Sequence, residues 1–164
     1  MREISRRSLR KPSRGGVPNA LFGRLSLEDA PGELIGVAGA LTVLFPWGSL
    51  LRALAVPNVG ELRKLTAIGR AGARISFVYG YGAERDAGAL EELGLPELGA
   101  PAALRALEAA YAAAGLKMSA RYALREEVAS IESTWAKKLA FAGRERVFVA
   151  LEGTVDRNHA LAWT

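Results

Sequence analysis

The stretch LTVLFPWGSLLRAL, residues 41–54, gives the clearest signal of a strand followed by a helix, because an apolar run meets a proline and a helical pattern follows. Residues 40–45, ALTVLF, form the short uncharged run that is typical of a strand buried on both faces. Pro46 has no N–H to donate to a strand ladder, and it restricts the preceding Phe45 to an extended conformation. The stretch therefore predicts a strand that stops abruptly and a rigid side chain, Trp47, held just past its end.

The rest of the chain repeats this alternation of strands and helices. Gly48 allows a sharp turn into a helix at 47–55. This pattern predicts an α/β fold with a mostly parallel sheet. The other predicted elements are a short strand within 20–27, a helix at 59–69, a strand at 73–80, a surface insertion at 81–100, a helix at 100–115, a strand at 117–125, a helix at 126–143 and a strand at 146–155.

Composition excludes several classes of site. The 164 residues favour one domain, and the absence of cysteine rules out disulfides, thiolate metal sites and cysteine nucleophiles. A single histidine, His159, makes zinc or a Ser-His-Asp triad a poor fit, so no metal site is predicted. No stretch approaches the roughly 20 apolar residues of a membrane span. These features indicate a protein of the reducing cytoplasm without a membrane partner.

Charge is concentrated in two clusters of a chain whose net charge is +5. Residues 1–14 carry six Arg or Lys residues against one Glu, and a second basic cluster lies at 137–146. Clustered cations indicate a polyanionic partner, most simply a nucleic acid, although a solvated basic tail would look the same.

Three segments, LFPWGSLLRAL, IESTWAKKL and VFVALEGTV, together resemble the KamB/NpmA-type 16S rRNA (adenine-1408) N1-methyltransferases. The resemblance begins near the amino end, where EISRRSLRKPSRGGVPN is similar to the family's basic linker, and it runs to about residue 155. It implies transfer of a methyl group from S-adenosylmethionine to 16S rRNA in the 30S ribosomal subunit, the aminoglycoside-resistance modification.

The chain departs from the family at its start. Family members open with about two further strands and a helix, which carry an acidic, glycine-rich turn that cradles the cofactor. The Gly-Gly pair at 15–16 follows no strand and does not replace it. The expectation is an incomplete Rossmann-like class I methyltransferase sheet with its C-terminal strands present and the first two absent. The chain would then be one partial domain over 1–164, a fragment or truncated gene product, comprising a basic linker at 1–19, a sheet region at 20–155 and a tail at 156–164.

The resemblance makes Trp47 and Trp135 the two walls of a slot for the target adenine, with Ser133 orienting the base. For each tryptophan the sequence leaves an alternative open. Trp47 could be a buried residue at a helix start. Trp135 shares a helical stripe with Val128, Ile131 and Leu139, which by itself indicates core, so the family role requires this helix to break before Trp135.

The resemblance also implies ligand contacts elsewhere. Cofactor contacts would come from Glu28, Phe45, Pro46 and Ser49. Phosphate contacts would come from two basic arms on the surface, the first comprising Arg6, Arg7, Arg10, Lys11 and Arg14, and the second Lys137, Lys138, Arg144 and Arg146.

Three functions therefore compete. The first is the methyltransferase, whose missing glycine-rich motif predicts that this chain alone binds S-adenosylmethionine poorly and is inactive. The second is a non-catalytic RNA-binding remnant of such an enzyme. The third is an α/β interaction module without an RNA role. The sequence leaves the oligomeric state, the methylated atom and the role of the tail open.

Overall fold

The computed structural model describes residues 10–16, 19–20, 31–141 and 145–156. The chain divides into two compact units, 1–30 and 31–164. In the first unit, Pro12–Arg14 form a single 3-10 turn, which Gly15 ends with a φ of 72°. The strand predicted within 20–27 and the tail at 156–164 lie almost wholly outside the described residues.

The second unit contains the predicted alternation of strands and helices. A 3-10 turn at Gly32–Leu34 precedes the first strand. The elements that follow are β1 (Ala38–Leu44), α1 (Ser49–Ala55), α2 (Val59–Ile68), β2 (Gly69–Tyr81), α3 (Ala87–Leu93), α4 (Pro101–Ala113), β3 (Leu116–Ala123), α5 (Arg125–Ser130), α6 (Thr134–Phe141) and β4 (Val147–Val155). The helix predicted at 126–143 is thus two helices, and the predicted surface insertion contains α3.

The four strands form one sheet in the order β1-β2-β4-β3. β1 and β2 are parallel, whereas β4 is antiparallel to both β2 and β3. The α/β class is confirmed, and three of the four strands run in the same direction, but two of the three strand pairs are antiparallel because β4 is reversed. The reason is that α5 and α6 connect β3 to β4 at one edge of the sheet, so β4 starts where β3 ends and must run back. The carboxyl ends of β1, β2 and β3 therefore meet at the same edge.

The core lies on the two central strands and the helices packed over them. Phe77, Tyr79, Tyr111 and Val149 are fully buried. The Tyr111 hydroxyl donates a hydrogen bond to the Leu54 carbonyl oxygen over 3.0 Å, which ties α4 to α1. Burial raises the pKa of the Tyr79 and Tyr111 phenols above their usual range, so both stay neutral.

β1 differs from the strand that its sequence predicts. Gly39, Ala40, Thr42 and Leu44 are exposed, so the prediction of a strand buried on both faces is wrong. In the described part of the chain, β1 has a ladder partner only on the β2 side. An uncharged run is thus compatible with the edge of a sheet as well as with its centre.

Among the described residues, no helix combines the length and apolarity needed to cross a bilayer. Nor does any group of three or more His, Cys, Asp or Glu side chains there have an arrangement that could hold a metal ion.

Candidate active site

The turn after β1 is held by two contacts of Phe45. Its N–H donates to the Val78 carbonyl oxygen over 2.7 Å, and Pro46 then stops the ladder because it has no N–H. The Phe45 ring packs edge-to-face on Phe148, with centroids 6.4 Å apart. Phe45 has a φ of 50°, a range that non-glycine residues rarely adopt, so the expected extended conformation is wrong. The two contacts fix the residue against the preference that proline imposes on its predecessor.

Gly48 completes the turn with a φ of 62° and a ψ of −137°, a region that residues with a Cβ avoid. Its carbonyl oxygen accepts the first hydrogen bond of α1, from the Arg52 N–H over 3.1 Å. Trp47, which lies between the end of β1 and Gly48, is 56% exposed. The alternative in which Trp47 is a buried residue at the helix start is therefore wrong.

The second tryptophan follows a break between α5 and α6. The Ser133 N–H donates to the Ile131 carbonyl oxygen over 2.6 Å, and Ser133 Oγ accepts from the Ala136 N–H over 3.3 Å. Ser133 is thus the N-cap of α6, a position that serine favours because its side chain competes with helical backbone hydrogen bonds. The break turns Trp135 out of the stripe that contains buried Val128, and Trp135 is 55% exposed.

One apolar cluster supports both tryptophan-bearing segments. Val128, Ala140 and Phe148 are buried together, and Phe45 and Leu139 pack against them. Phe45 precedes Trp47 by two residues, and Ala140 lies on the same helix as Trp135. The positions of the two indoles therefore depend on the same part of the core.

Both indoles line one cavity of about 540 Å³ at the carboxyl ends of β1 and β2. This volume lies in the range of sites for small organic ligands, roughly 300–1,000 Å³. Within the described part of the chain, neither Trp47 nor Trp135 stacks on another aromatic ring, so their faces are available. The remaining lining residues are Phe45, Pro46, Gly80, Arg85, Asp86, Lys138, Leu139 and Arg146.

A buried ion pair forms another part of the cavity wall. Arg146 Nη2 lies 2.8 Å from Asp86 Oδ2, with the Arg146 side chain buried and the Asp86 side chain 11% exposed. Arg146 Nη1 donates to the Gly80 carbonyl oxygen over 2.8 Å, and the Gly82 N–H donates to Asp86 Oδ2 over 2.9 Å. The pair ties the start of β4 to the segment after β2.

The ion pair changes two expectations from the sequence. Arg146 is only 8% exposed, so it does not belong to an exposed basic arm, and it lines the cavity instead. Asp86 was not singled out, because it lies in a segment that reads as a surface insertion. The available signal was its place just past a buried strand, at the edge where ligands bind in α/β folds.

The other predicted site residues are distributed as follows. Lys137 and Lys138 are exposed on α6, and in the described ranges neither has an ion pair. Ser49, the first residue of α1, is exposed and does not line the cavity. In the first unit, Arg10, Lys11 and Arg14 are exposed. Four predicted residues lie outside the described residues, namely Arg6, Arg7, Glu28 and Arg144.

A charged contact precedes the helix break. Arg121 Nη1 lies 2.7 Å from Glu127 Oε2, which also accepts from the Leu124 N–H over 2.9 Å. The hydrogen bond from Arg121, followed by that from Leu124, holds the pKa of Glu127 below its usual range. These contacts anchor the start of α5 to the end of β3.

Known proteins of similar sequence agree on one description. The NpmA family model, described as 16S rRNA (adenine(1408)-N(1))-methyltransferase, matches residues 1–154. A methyltransferase of that description from Escherichia coli is 32% identical over 158 residues, covering 95% of this chain and 72% of the relative. Another, from Streptoalloteichus tenebrarius, is 39% identical over 159 residues with the same two coverages. The chain thus spans about 72% of the length of these curated relatives.

Solved structures give the same answer at the level of the fold. The 16S rRNA methyltransferase KamB superposes with a TM-score of 0.79 at 33% identity, over 95% of this chain and 72% of that one. A tryptophan-to-alanine mutant of the 16S rRNA (adenine(1408)-N(1))-methyltransferase from Catenulisporales acidiphilia, with the cosubstrate SAM, superposes with a TM-score of 0.78 at 30% identity, over 95% and 70%. The predicted family and its Rossmann-like class are confirmed by these matches. The chain belongs to the NpmA family of 16S rRNA (adenine(1408)-N(1))-methyltransferases.

Proposed function

We propose that this chain recognises adenine 1408 in the 16S rRNA of the 30S subunit as the target of N1 methylation, and that its cavity holds the target base. One observation carries the proposal: two half-exposed indoles line one cavity without an aromatic partner in the described chain. Enzymes that modify a base extrude it from its stack and hold it between flat side chains. Stacking on an aromatic ring is worth about 1–3 kcal/mol per base.

The chain's own task in this reaction is positioning. Adenine N1 has a lone pair and no proton at neutral pH, so it can attack a methyl group without a general base. Trp47 and Trp135 restrain the base plane from two sides, and Leu139 contributes an apolar wall that keeps water away from the reacting atoms. Fixing the approach of two reactants can supply a large part of a rate enhancement. We assign the two indoles this role.

S-adenosylmethionine, when bound, supplies the activated methyl group on its sulfonium. Phe45 and Pro46 are half-buried in the cavity wall at the carboxyl end of β1, and their apolar surface fits a flat purine ring such as the cofactor's. We propose that these two residues hold the adenine of the cofactor. Ser49 and Glu28 stay predicted contacts. Because the sulfonium already activates the methyl group, we propose a reaction without a metal ion.

Phosphate contacts would come from exposed cations around the cavity. Lys137 and Lys138 have no ion pair in the described chain, so their charges are available to a polyanion. At the cavity, Arg146 Nε is buried and has no hydrogen-bond partner among the described residues. In the first unit, Arg10, Lys11 and Arg14 would supply further phosphate contacts. Assembled 30S subunits place the protein in the cytoplasm, away from membranes.

Binding and methyl transfer to purified 30S subunits test this proposal. The wild-type chain should bind, and Trp47→Ala or Trp135→Ala should each weaken binding about tenfold or more, since each removes a stacking face. The matched variants Trp47→Phe and Trp135→Phe keep an aromatic face and should retain most of the affinity. Thermal unfolding should hardly change, because both side chains are half-exposed.

The outcomes separate the competing functions. Transfer of a labelled methyl group from S-adenosylmethionine to 30S subunits would establish the enzyme. Binding without transfer would identify an RNA-binding protein that is not catalytic. A wild-type chain without affinity for 30S subunits, or alanine variants that bind equally well, would refute the proposed role of the cavity.

A second assay isolates the phosphate contacts. Replacing Lys137 and Lys138 with alanine should weaken 30S binding and flatten its dependence on salt concentration, because fewer counterions are released. An unchanged affinity at low salt would exclude these lysines from the RNA interface.

A further inference from the structure

The most exposed large apolar side chain of the described residues is neither in the core nor in the cavity. Phe141, the last residue of α6, is 81% exposed, compared with 55% for Trp135 on the same helix. Burying a phenylalanine contributes about 1.5–3 kcal/mol, which this position forgoes. Phe141 also has no aromatic partner among the described residues.

The geometry of α6 places Phe141 between the two lysines. At 3.6 residues per turn, positions three and four apart are neighbours on a helix surface. Lys138 and Lys137 precede Phe141 by three and four residues, while the buried residues Ala136 and Ala140 define the opposite face. The outward face of α6 therefore presents a phenyl ring flanked by two ammonium groups without ion pairs in the described chain.

This face continues the wall of the cavity. Trp135, Lys138 and Leu139 line the cavity, and Phe141 lies one helical turn beyond Lys138. Six residues separate Trp135 from Phe141, which at about 1.5 Å per residue is roughly 9 Å along the helix axis. The same six positions turn the side chain by about 120° around the helix axis, so Phe141 adjoins the cavity wall through Lys138 and does not lie in line with Trp135.

We infer that Phe141 is a further stacking residue outside the cavity, which receives an unpaired nucleobase of 16S rRNA close to the target adenine. The inference rests on the proposed function and extends it from the cavity to the outer face of α6. Charge complementarity selects the partner: the two ammonium groups attract the phosphates on either side of a nucleotide, and the ring accepts its base. A base in a regular duplex is already stacked, so the partner is a base in a loop, bulge or distorted segment.

The experiment compares 30S binding of the wild type, Phe141→Ala and Phe141→Trp at several salt concentrations. Phe141→Ala should bind about tenfold more weakly with an unchanged salt dependence, because stacking releases no counterions. Phe141→Trp should bind at least as tightly as the wild type. The matched control is Val37→Ala, which alters an exposed apolar side chain just before β1, at the opposite end of that strand from the cavity. This control should bind like the wild type.

Chemical probing of the rRNA bases identifies the partner. The wild type should protect an unpaired base near the target, and Phe141→Ala should leave that base reactive while the target stays protected. Weaker binding with identical protection would indicate a ribosomal protein as the partner and would overturn the inference. So would a Phe141→Ala affinity within twofold of the wild type.

Failure of this inference can be told apart from failure of the proposed function. If the wild-type chain does not bind 30S subunits, both fall. If it binds and Trp135→Ala weakens binding whereas Phe141→Ala does not, only the role of Phe141 is refuted. Unchanged thermal unfolding of Phe141→Ala verifies that the variant is folded.

Discussion

Aromatic side chains occupy two opposite environments in this protein. In the core, Phe77, Tyr79, Tyr111 and Phe148 are at most 1% exposed. At the carboxyl edge of the sheet, Trp47, Trp135 and Phe141 are between 55% and 81% exposed. The same class of side chain therefore contributes to stability in one region and is withheld from the core in the other.

The two regions are built by different means. The core rings are fixed by packing and by hydrogen bonds such as that of the Tyr111 hydroxyl. The edge rings are held in place by backbone geometry, namely the positive φ of Phe45 and Gly48 and the break before Ser133. Phe45 is the one non-glycine residue of the described chain with a positive φ, a conformation that costs about 1–3 kcal/mol, and its place in the cavity wall points to a binding role.

The largest expected effect on stability comes from Phe148, the core ring against which Phe45 of the cavity wall packs. Phe148→Ala should lower the free energy of unfolding by about 3–5 kcal/mol, because it opens a void in the cluster that supports both tryptophan-bearing segments. Urea denaturation measures the loss. The matched deletion Phe141→Ala removes the same ring from an exposed site and should change stability by less than about 0.5 kcal/mol. Equal losses of stability in both variants would show that the core ring and the exposed ring contribute equally to folding, which would contradict this comparison.

A smaller effect is expected at the buried ion pair of the cavity wall. Asp86→Asn leaves the Arg146 guanidinium buried without its compensating charge and should cost about 3 kcal/mol of stability. Glu84→Gln is the control, because Glu84 is exposed near Asp86 and has no ion pair in the described chain. If thermal unfolding shifts equally in the two variants, the pair does not stabilise the cavity wall.

The turn before α1 should show a still smaller effect. Gly48→Ala meets no atom within 4 Å, so its cost of about 1–2 kcal/mol would come only from the positive φ. Gly88→Ala is the matched control. Gly88 lies inside α3 without a positive φ and with the same free space, so alanine should stabilise the protein by up to about 1 kcal/mol. Opposite signs in thermal unfolding support the strained turn, whereas equal signs contradict it.

The smallest effect concerns acid. Because the pKa of Glu127 is lower in the folded protein, its ionised form stabilises the fold. This contribution is complete above the unfolded pKa, about 4.3, and disappears as the pH falls through the folded pKa. The difference in unfolding midpoint between the wild type and Glu127→Gln should therefore shrink below about pH 4. Glu126→Gln, at the neighbouring exposed position, is the matched control for the loss of one carboxylate.

Much of the fold after residue 40 was predictable from local patterns. The apolar run before Pro46, the β-branched run at 73–80 and the alanine-rich segment at 100–115 each form the predicted element. Strand direction was not predictable, because an apolar strand carries no signal of whether its neighbour is parallel. The position of β1 at the edge of the described sheet was missed for the same reason: burial depends on partners that the strand's own sequence does not name.

The candidate site was predictable only in part. The position of Trp47 just past the end of β1 was predictable from Pro46 and Gly48, the residues directly before and after it. The break before Trp135 could not be derived from spacing, because Val128, Ile131, Trp135 and Leu139 keep a helical period across it. The outcome depends on whether Ser133 caps a new helix or continues the old one. The pairing of Asp86 with Arg146, sixty residues apart, had no local signal.

The small size of two buried residues bears on where Trp135 lies in the cavity wall. Ala136 and Ala140 are the buried residues of α6, at 0% and 2% exposure. Their methyl groups let the helix approach the sheet closely, and each larger side chain there would push α6 and Trp135 outward. The width of the cavity at Trp135 therefore depends on side chains on the buried side of α6. Substitutions at these two positions would therefore change the width of the cavity without altering any residue that lines it.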